Sequence, residues 1–285
     1  MPDSPLIPAK TLFQWQQIGA PVSLIDCRAS LTDSNAGRQA WEAGHIEGAC
    51  WLDLHSELSS PGAGGGRFPL PSIEAFVGSL QAKGVNPNAP IVVMDDCGGR
   101  LAAARCWWML SCWLGRPRIY VLDGGLEAWC KAGGGLVTVT STSHGKGKAT
   151  DWSGVPLEEH LDHVANAPDV EQGAATSLLL DGRVLERYLG EEEPLDSTAG
   201  HIPGALCRPA TTNLDELGCF KEPVELRSEL PQAVGIISYC GGGISACHNI
   251  LAYRVAGLPL PKLYPGSWSD WISDPNRPVA VGPAD

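Results

Sequence analysis

No C-x-x-C pair occurs anywhere in the 285 residues, although there are ten cysteines. Structural zinc sites are usually built on such closely spaced pairs, so no metal is expected. There is also no run of about 20 apolar residues, which a membrane-spanning helix needs. The most apolar stretch, LAAARCWWMLSCWLG (101–115), is short and carries Arg105. The start, MPDSPLIPAK, lacks a basic segment followed by an apolar core, so no secretory signal is read there. The cysteines are therefore expected as reduced thiols of a cytoplasmic protein, not as a disulfide framework. Cys27, Cys50, Cys106, Cys112 and Cys130 sit in apolar contexts and are expected as small core residues. Basic residues are in deficit, 20 against 32 acidic ones, for a formal net charge of −12. Such a body repels nucleic acid and anionic membrane, so neither is expected as a partner. A small anionic substrate stays compatible, because a few local donors outweigh a distant field.

What is present is a globular composition, 44% apolar and 18% charged, in a chain long enough for two domains of roughly 100–200 residues each. The strongest internal signal is repetition. LIDCR (24–28) recurs as LLDGR (179–183), and GHIEGA (44–49) as GHIPGA (200–205). LDGGLEAW (122–129) has a looser partner in YPGSWSDW (264–271). The runs IVVMDD (91–96) and GIISYC (235–240) are each followed by a helix-like segment. Short apolar runs such as VSLI (22–25), IVVM (91–94) and IYVL (119–122) suit strands buried on both faces of a parallel sheet. The expected fold is α/β: two similar domains, each a parallel sheet flanked by helices. The first spans 1–135 and the second 171–285, with a Gly/Ser/Thr-rich linker over 136–170. EEHLDHVANA in that span suggests a short helix.

Chemistry is expected where a strand runs through glycines into a helix, since unpaired N–H groups and the helix dipole converge there. In the second copy this junction reads YCGGGISAC (239–247). Cys240 ends the strand. Gly241, Gly242 and Gly243 permit a tight loop, and Ile244, Ser245 and Ala246 open the helix. Amides of residues 241–246 turned toward the sulfur would stabilise a thiolate or a persulfide anion. In the first copy Asp95 or Asp96 stands in place of Cys240, and a carboxylate cannot act as a sulfur nucleophile. One copy is therefore expected to be scaffold and the other catalytic.

These motifs together resemble the tandem-domain rhodanese-type sulfurtransferases, across nearly the whole chain outside the linker. The resemblance implies an inactive first domain, an active second one, and a site where the domains meet. It implies a catalytic cysteine, here Cys240, that takes sulfur from a small donor and holds it as a persulfide. The sulfur then passes to a thiophilic acceptor: cyanide, a thiol or a dithiol protein. No cofactor is implied. Thiosulfate-using members carry basic residues after the cysteine and 3-mercaptopyruvate-using members small neutral ones, so Gly241 and Gly242 place the loop with the second class. In that class two arginines hold the donor. Arg187 in ERYLG matches the first, whereas Leu195 stands where the second is usual and Gly242 where a serine is usual. Arg183 is the candidate to compensate. Both arginines could instead pair with acids such as Glu186 or the Glu191–Glu193 run, itself expected as a solvated loop. His45, in the repeated GHI-x-GA turn, is expected to be structural first and a weaker candidate for the substrate site. Cys247 is expected to pack rather than to resolve a persulfide, and the tryptophans of 107–113 to lie in the core.

Two other functions compete. A cysteine-loop phosphatase or arsenate reductase would need an arginine six positions after the cysteine, and Ala246 is there. A non-catalytic sulfur-carrier or binding module suits the first copy better than the second, whose cysteine loop is complete.

Overall fold

A computed structural model describes residues 4–60, 62, 64–138, 149–156, 159–173 and 177–283. Of the expected linker, residues 139–148 and 157–158 lie outside the described ones. The chain forms two compact units, one of residues 1–60, 71–159 and 216–220, the other of 61–70, 160–215 and 221–285. Each unit thus takes in one short segment lying, in sequence, within the other copy. The segment 61–70 joins the unit that contains Cys240.

The first unit holds β1 (Leu6–Pro8), α1 (Ala9–Gln17), β2 (Ser23–Asp26), α2 (Ala36–Ala43), β3 (Ala49–Trp51) and α3 (Ile73–Ala82). It continues with β4 (Ile91–Met94), α4 (Ala102–Trp108), β5 (Ile119–Asp123) and α5 (Gly125–Lys131). Its five-stranded sheet runs β1-β5-β4-β2-β3, and every pairing is parallel. All four residues of β4 are buried, as expected for a central strand covered by helices on both faces. One face packs Ile7, Leu12, Leu24, Val92, Tyr120 and Trp129 into a core. The tryptophan-rich run continues α4 as a π-helical turn, Met109–Trp113, and Trp107, Trp108 and Trp113 are buried as expected. Cys130, by contrast, is exposed, because it falls on the outer face of α5.

The second unit holds α6 (Ala167–Gly173), β6 (Leu178–Asp181), α7 (Leu185–Leu189), β7 (Ala205–Cys207) and α8 (Pro223–Glu229). It ends with β8 (Ile236–Tyr239), α9 (Ser245–Val255), β9 (Lys262–Leu263) and α10 (Ser267–Trp271). Its parallel sheet has the order β7-β6-β8-β9. Leu179, Tyr188, Ile237, Tyr239, Trp268 and Trp271 form its core. Within EEHLDHVANA the described residues give a single 3-10 turn, Leu161–His163.

The sequence repeats become repeated interactions. In the first unit Arg28 forks onto Asp26, with Nη2 2.7 Å from Oδ2, and donates to the Gly44 carbonyl at 2.6 Å. In the second, Arg183 forks onto Asp181 at 2.7 Å and donates to the Gly200 carbonyl at 2.6 Å. His45 stacks on Trp41 and its Nδ1–H donates to the Trp41 carbonyl at 2.8 Å. His201 stacks on Tyr188 and donates to its carbonyl at 2.8 Å. In both cases the aspartate ends a sheet strand, and the arginine ties it to the turn that carries the histidine. That is why D-x-R and GHI-x-GA recur at a nearly constant distance.

Candidate active site

Cys240 follows directly on β8 and is buried, 2% exposed. Its main chain is fixed from both sides. The Cys240 N–H donates to Ser267 Oγ at 3.1 Å. Its carbonyl accepts from the Trp268 N–H at 3.0 Å, and the Gly241 carbonyl from the Ser269 N–H at 3.0 Å. The start of α10 therefore anchors the start of the loop. The chain turns at Gly243, where φ is +75° and an added Cβ would lie 2.3 Å from the Pro265 carbonyl oxygen. Only glycine meets both demands. Ile244 then leads into α9, whose first turn carries the Ser245 and Ala246 amides. The opening amides of a helix have no partner within it and present a positive end.

The first unit shows the same junction with a carboxyl group in place of the thiol. Asp95, not Asp96, directly follows β4 as Cys240 follows β8. Its buried carboxylate accepts from the amides of Cys97 at 3.0 Å, Gly99 at 2.7 Å and Leu101 at 3.3 Å. Burial raises the pKa of the Asp95 carboxyl, and these three amides, which pull it down, offset only part of that rise. The Asp95 carbonyl accepts from the Leu126 N–H at 3.2 Å, as that of Cys240 does from Trp268. The same strand–loop–helix scaffold thus gathers loop amides around a carboxylate in one copy and carries a thiol in the other.

Arg187, on α7, lies over the loop. A Cβ on Gly241 would be 3.3 Å from its Nη1. Its other nitrogens are held by acids: Nε and Nη2 donate to Glu193 at 3.1 and 2.6 Å, and Nη2 also meets Asp196 at 3.0 Å. Burial works against ionised Glu193, but the Arg187 hydrogen bond, the Leu195 and Asp196 amides and the Arg187 charge hold its pKa below the usual carboxylate range. The acidic run is therefore only partly a solvated loop. Glu191 and Glu192 are exposed, whereas the Glu193 side chain is 5% exposed and orients Arg187.

Arg183 is placed differently. Its side chain is 1% exposed and is committed to Asp181 and the Gly200 carbonyl. Glu193 lies 3.4 Å away, and the guanidinium sits over the Trp268 ring at 4.8 Å. Burial opposes its charge, yet the Asp181 carboxylate more than offsets this and raises its pKa. His45 belongs to the first unit, in the turn described above. Cys247 is buried in α9, with its thiol 3.4 Å from the Gly243 carbonyl.

Two groups here have no signal in the sequence. Residues 66–68 form a strap against the loop: the Arg67 N–H donates to Ser269 Oγ at 2.9 Å. A Cβ on Gly242 would lie 2.9 Å from the Phe68 ring and 3.6 Å from Arg67 Cβ. Phe68 thus fills the space a serine at position 242 would take. The Arg67 guanidinium reaches the Asp196 carboxylate that also holds Arg187. A lone arginine after a glycine run, some 170 residues before the cysteine, shows no periodicity or spacing that would connect it to the loop.

The match to known proteins follows this geometry. The rhodanese-like domain model matches residues 9–132 and 164–274. The chain belongs to the rhodanese family. Similar curated relatives include a probable 3-mercaptopyruvate sulfurtransferase of Pseudomonas aeruginosa, 42% identical over 95% of this chain and 98% of the relative. A putative thiosulfate sulfurtransferase of Mycobacterium tuberculosis is 38% identical over 98% of both chains. Among solved structures, the 3-mercaptopyruvate sulfurtransferase SseA of Escherichia coli superposes with a TM-score of 0.79 at 28% identity. It covers 93% of this chain and 99% of its own. As a rhodanese, the chain is an enzyme, a sulfurtransferase. Among the described residues, no helix is long and apolar enough to cross a membrane.

Proposed function

We propose that Cys240 is the sulfur carrier and that its preferred donor is a 3-mercaptopyruvate-like 2-oxo acid. In the first half-reaction the Cys240 thiolate attacks the donor's thiol sulfur. The carbon–sulfur bond breaks, its electron pair leaves on carbon as the pyruvate enolate, and that carbon takes up a proton. Cys240 is left as a persulfide. In the second half-reaction an acceptor such as cyanide or a thiolate attacks the outer sulfur, the S–S bond breaks, and the Cys240 thiolate is regenerated. Loop amides are the electrostatic support for both anions, acting as the amides around Asp95 do in the first unit.

The observation that carries the donor preference is the charge balance beside the loop. No basic side chain stands at 241–246. Nearby, Arg187 and Arg67 are matched by Glu193 and Asp196. Two cations against two anions leave no surplus charge for a dianion such as thiosulfate, whereas a monocarboxylate brings a single charge and the planar oxygens that forked donors match. Arg187, with Nη1 turned to Gly241, is the candidate donor-binding residue. Arg183 we assign to positioning, through the clamp it shares in form with Arg28. The test compares kcat/KM for the two donors with cyanide as acceptor. A higher value for 3-mercaptopyruvate supports the reading, and a clear preference for thiosulfate overturns it.

A further inference from the structure

We infer that Arg67 is a second donor-recognition residue, supplying from the 66–68 strap the guanidinium that position 195 lacks. This rests on the reading that the donor binds beside Cys240. Three observations carry it. The Arg67 stem lies against Gly242, the second residue of the loop, just as the Arg187 guanidinium lies against Gly241. Both guanidiniums converge on one carboxylate, that of Asp196, whose side chain is 5% exposed. The Arg67 side chain is 24% exposed, so its donors are not all withdrawn from solutes.

Asp196 accepts from both arginines and so gathers two planar forks at one point, one beside Gly241 and one on a side chain whose stem lies against Gly242. A 2-oxo carboxylate offers a matching set of acceptors, two carboxylate oxygens and an adjacent ketone oxygen, and one fork cannot serve all three. The Leu195 side chain has no donor to give. An arginine that reaches Asp196, the next residue in the chain, from a remote segment restores a guanidinium at this point. The strap's other side chain, Phe68, closes over Gly242 and keeps the position apolar, which strengthens a charged hydrogen bond there.

The test uses the full-length protein and pyruvate, a 2-oxo monocarboxylate without transferable sulfur. Its binding is measured by calorimetry on the wild type, Arg67→Ala and Arg67→Lys, beside the KM and kcat for 3-mercaptopyruvate. Arg67→Ala should weaken pyruvate binding and raise KM by about tenfold or more, the loss expected for one charge-assisted fork. kcat should change less than KM, and Arg67→Lys, which keeps the charge but not the fork, should fall between. Unchanged pyruvate affinity in a folded Arg67→Ala variant overturns the assignment, as does a fall in kcat with no change in KM. Because pyruvate binding needs no sulfur chemistry, it is scored apart from persulfide formation on Cys240.

Discussion

Arg183 and Arg187 stand four residues apart and look equivalent in the sequence, yet their environments demand opposite results on removal. Arg183→Met takes a 1%-exposed cation from a 0%-exposed Asp181. Leaving a buried carboxylate without its partner costs about 3–5 kcal/mol. For a unit of this size that is a fall in melting temperature of about 10–20 °C. Arg187 is 13% exposed, and each of its acids keeps a second arginine, Asp196 through Arg67 and Glu193 through Arg183. Because both acids keep another cation, Arg187→Met should cost less, about 1–3 kcal/mol of stability. It should instead remove a charged hydrogen bond to the donor of about 1.5–3 kcal/mol, raising KM about 10- to 150-fold. Calorimetric melting and steady-state kinetics on both variants separate the two roles. Adding Asp181→Asn to Arg183→Met should restore part of the lost stability, since the orphaned charge is gone. A stable Arg183→Met variant with a raised donor KM would refute the clamp and return Arg183 to the substrate site.

Two further outcomes follow from the loop and its acids. Gly243→Ala forces a positive φ, costing about 1–2 kcal/mol, and drives a Cβ to 2.3 Å from the fixed Pro265 carbonyl. It should lower sulfur-transfer kcat far more than Gly241→Ala, whose Cβ meets only the Arg187 side-chain end at 3.3 Å; equal kcat values would contradict the loop's assigned strain. Glu193 has a depressed pKa when folded, so its stabilising contribution is complete above its unfolded value and is lost as pH falls through the lower folded one. Glu193→Gln should accordingly melt below the wild type at neutral pH, with the gap closing in acid; a gap that is constant with pH would show that the Arg187 pair contributes nothing.

The fold is legible in the sequence because its signals are local. Parallel strands buried on both faces leave short apolar runs, and 91–94 and 119–122 fall within observed strands of the first sheet. The D-x-R and GHI-x-GA repeats are legible because each is a physical unit, an ion pair bound to a turn, built twice. Cys240 is marked out because it stands between a buried strand and three glycines that lead into a helix, a tight junction few other residues allow. Arg187 can be singled out by motif, but only three dimensions show Glu193 and Asp196 orienting it. Arg183 illustrates the limit: buried clamp and substrate ligand require the same residue type, and burial is a tertiary property. The placing of 66–68 over the loop is beyond reach, since it depends on packing of a glycine-rich segment with no pattern of its own.

The central claim is that the sulfur of Cys240 accepts and holds a second sulfur atom. The most direct measurement is the mass of the intact protein, and of its Cys240 peptide, after brief exposure to 3-mercaptopyruvate without an acceptor. One added sulfur is expected on Cys240, removed by cyanide and absent in Cys240→Ser. An adduct on another cysteine, or none on a protein that still turns over the donor, would contradict it.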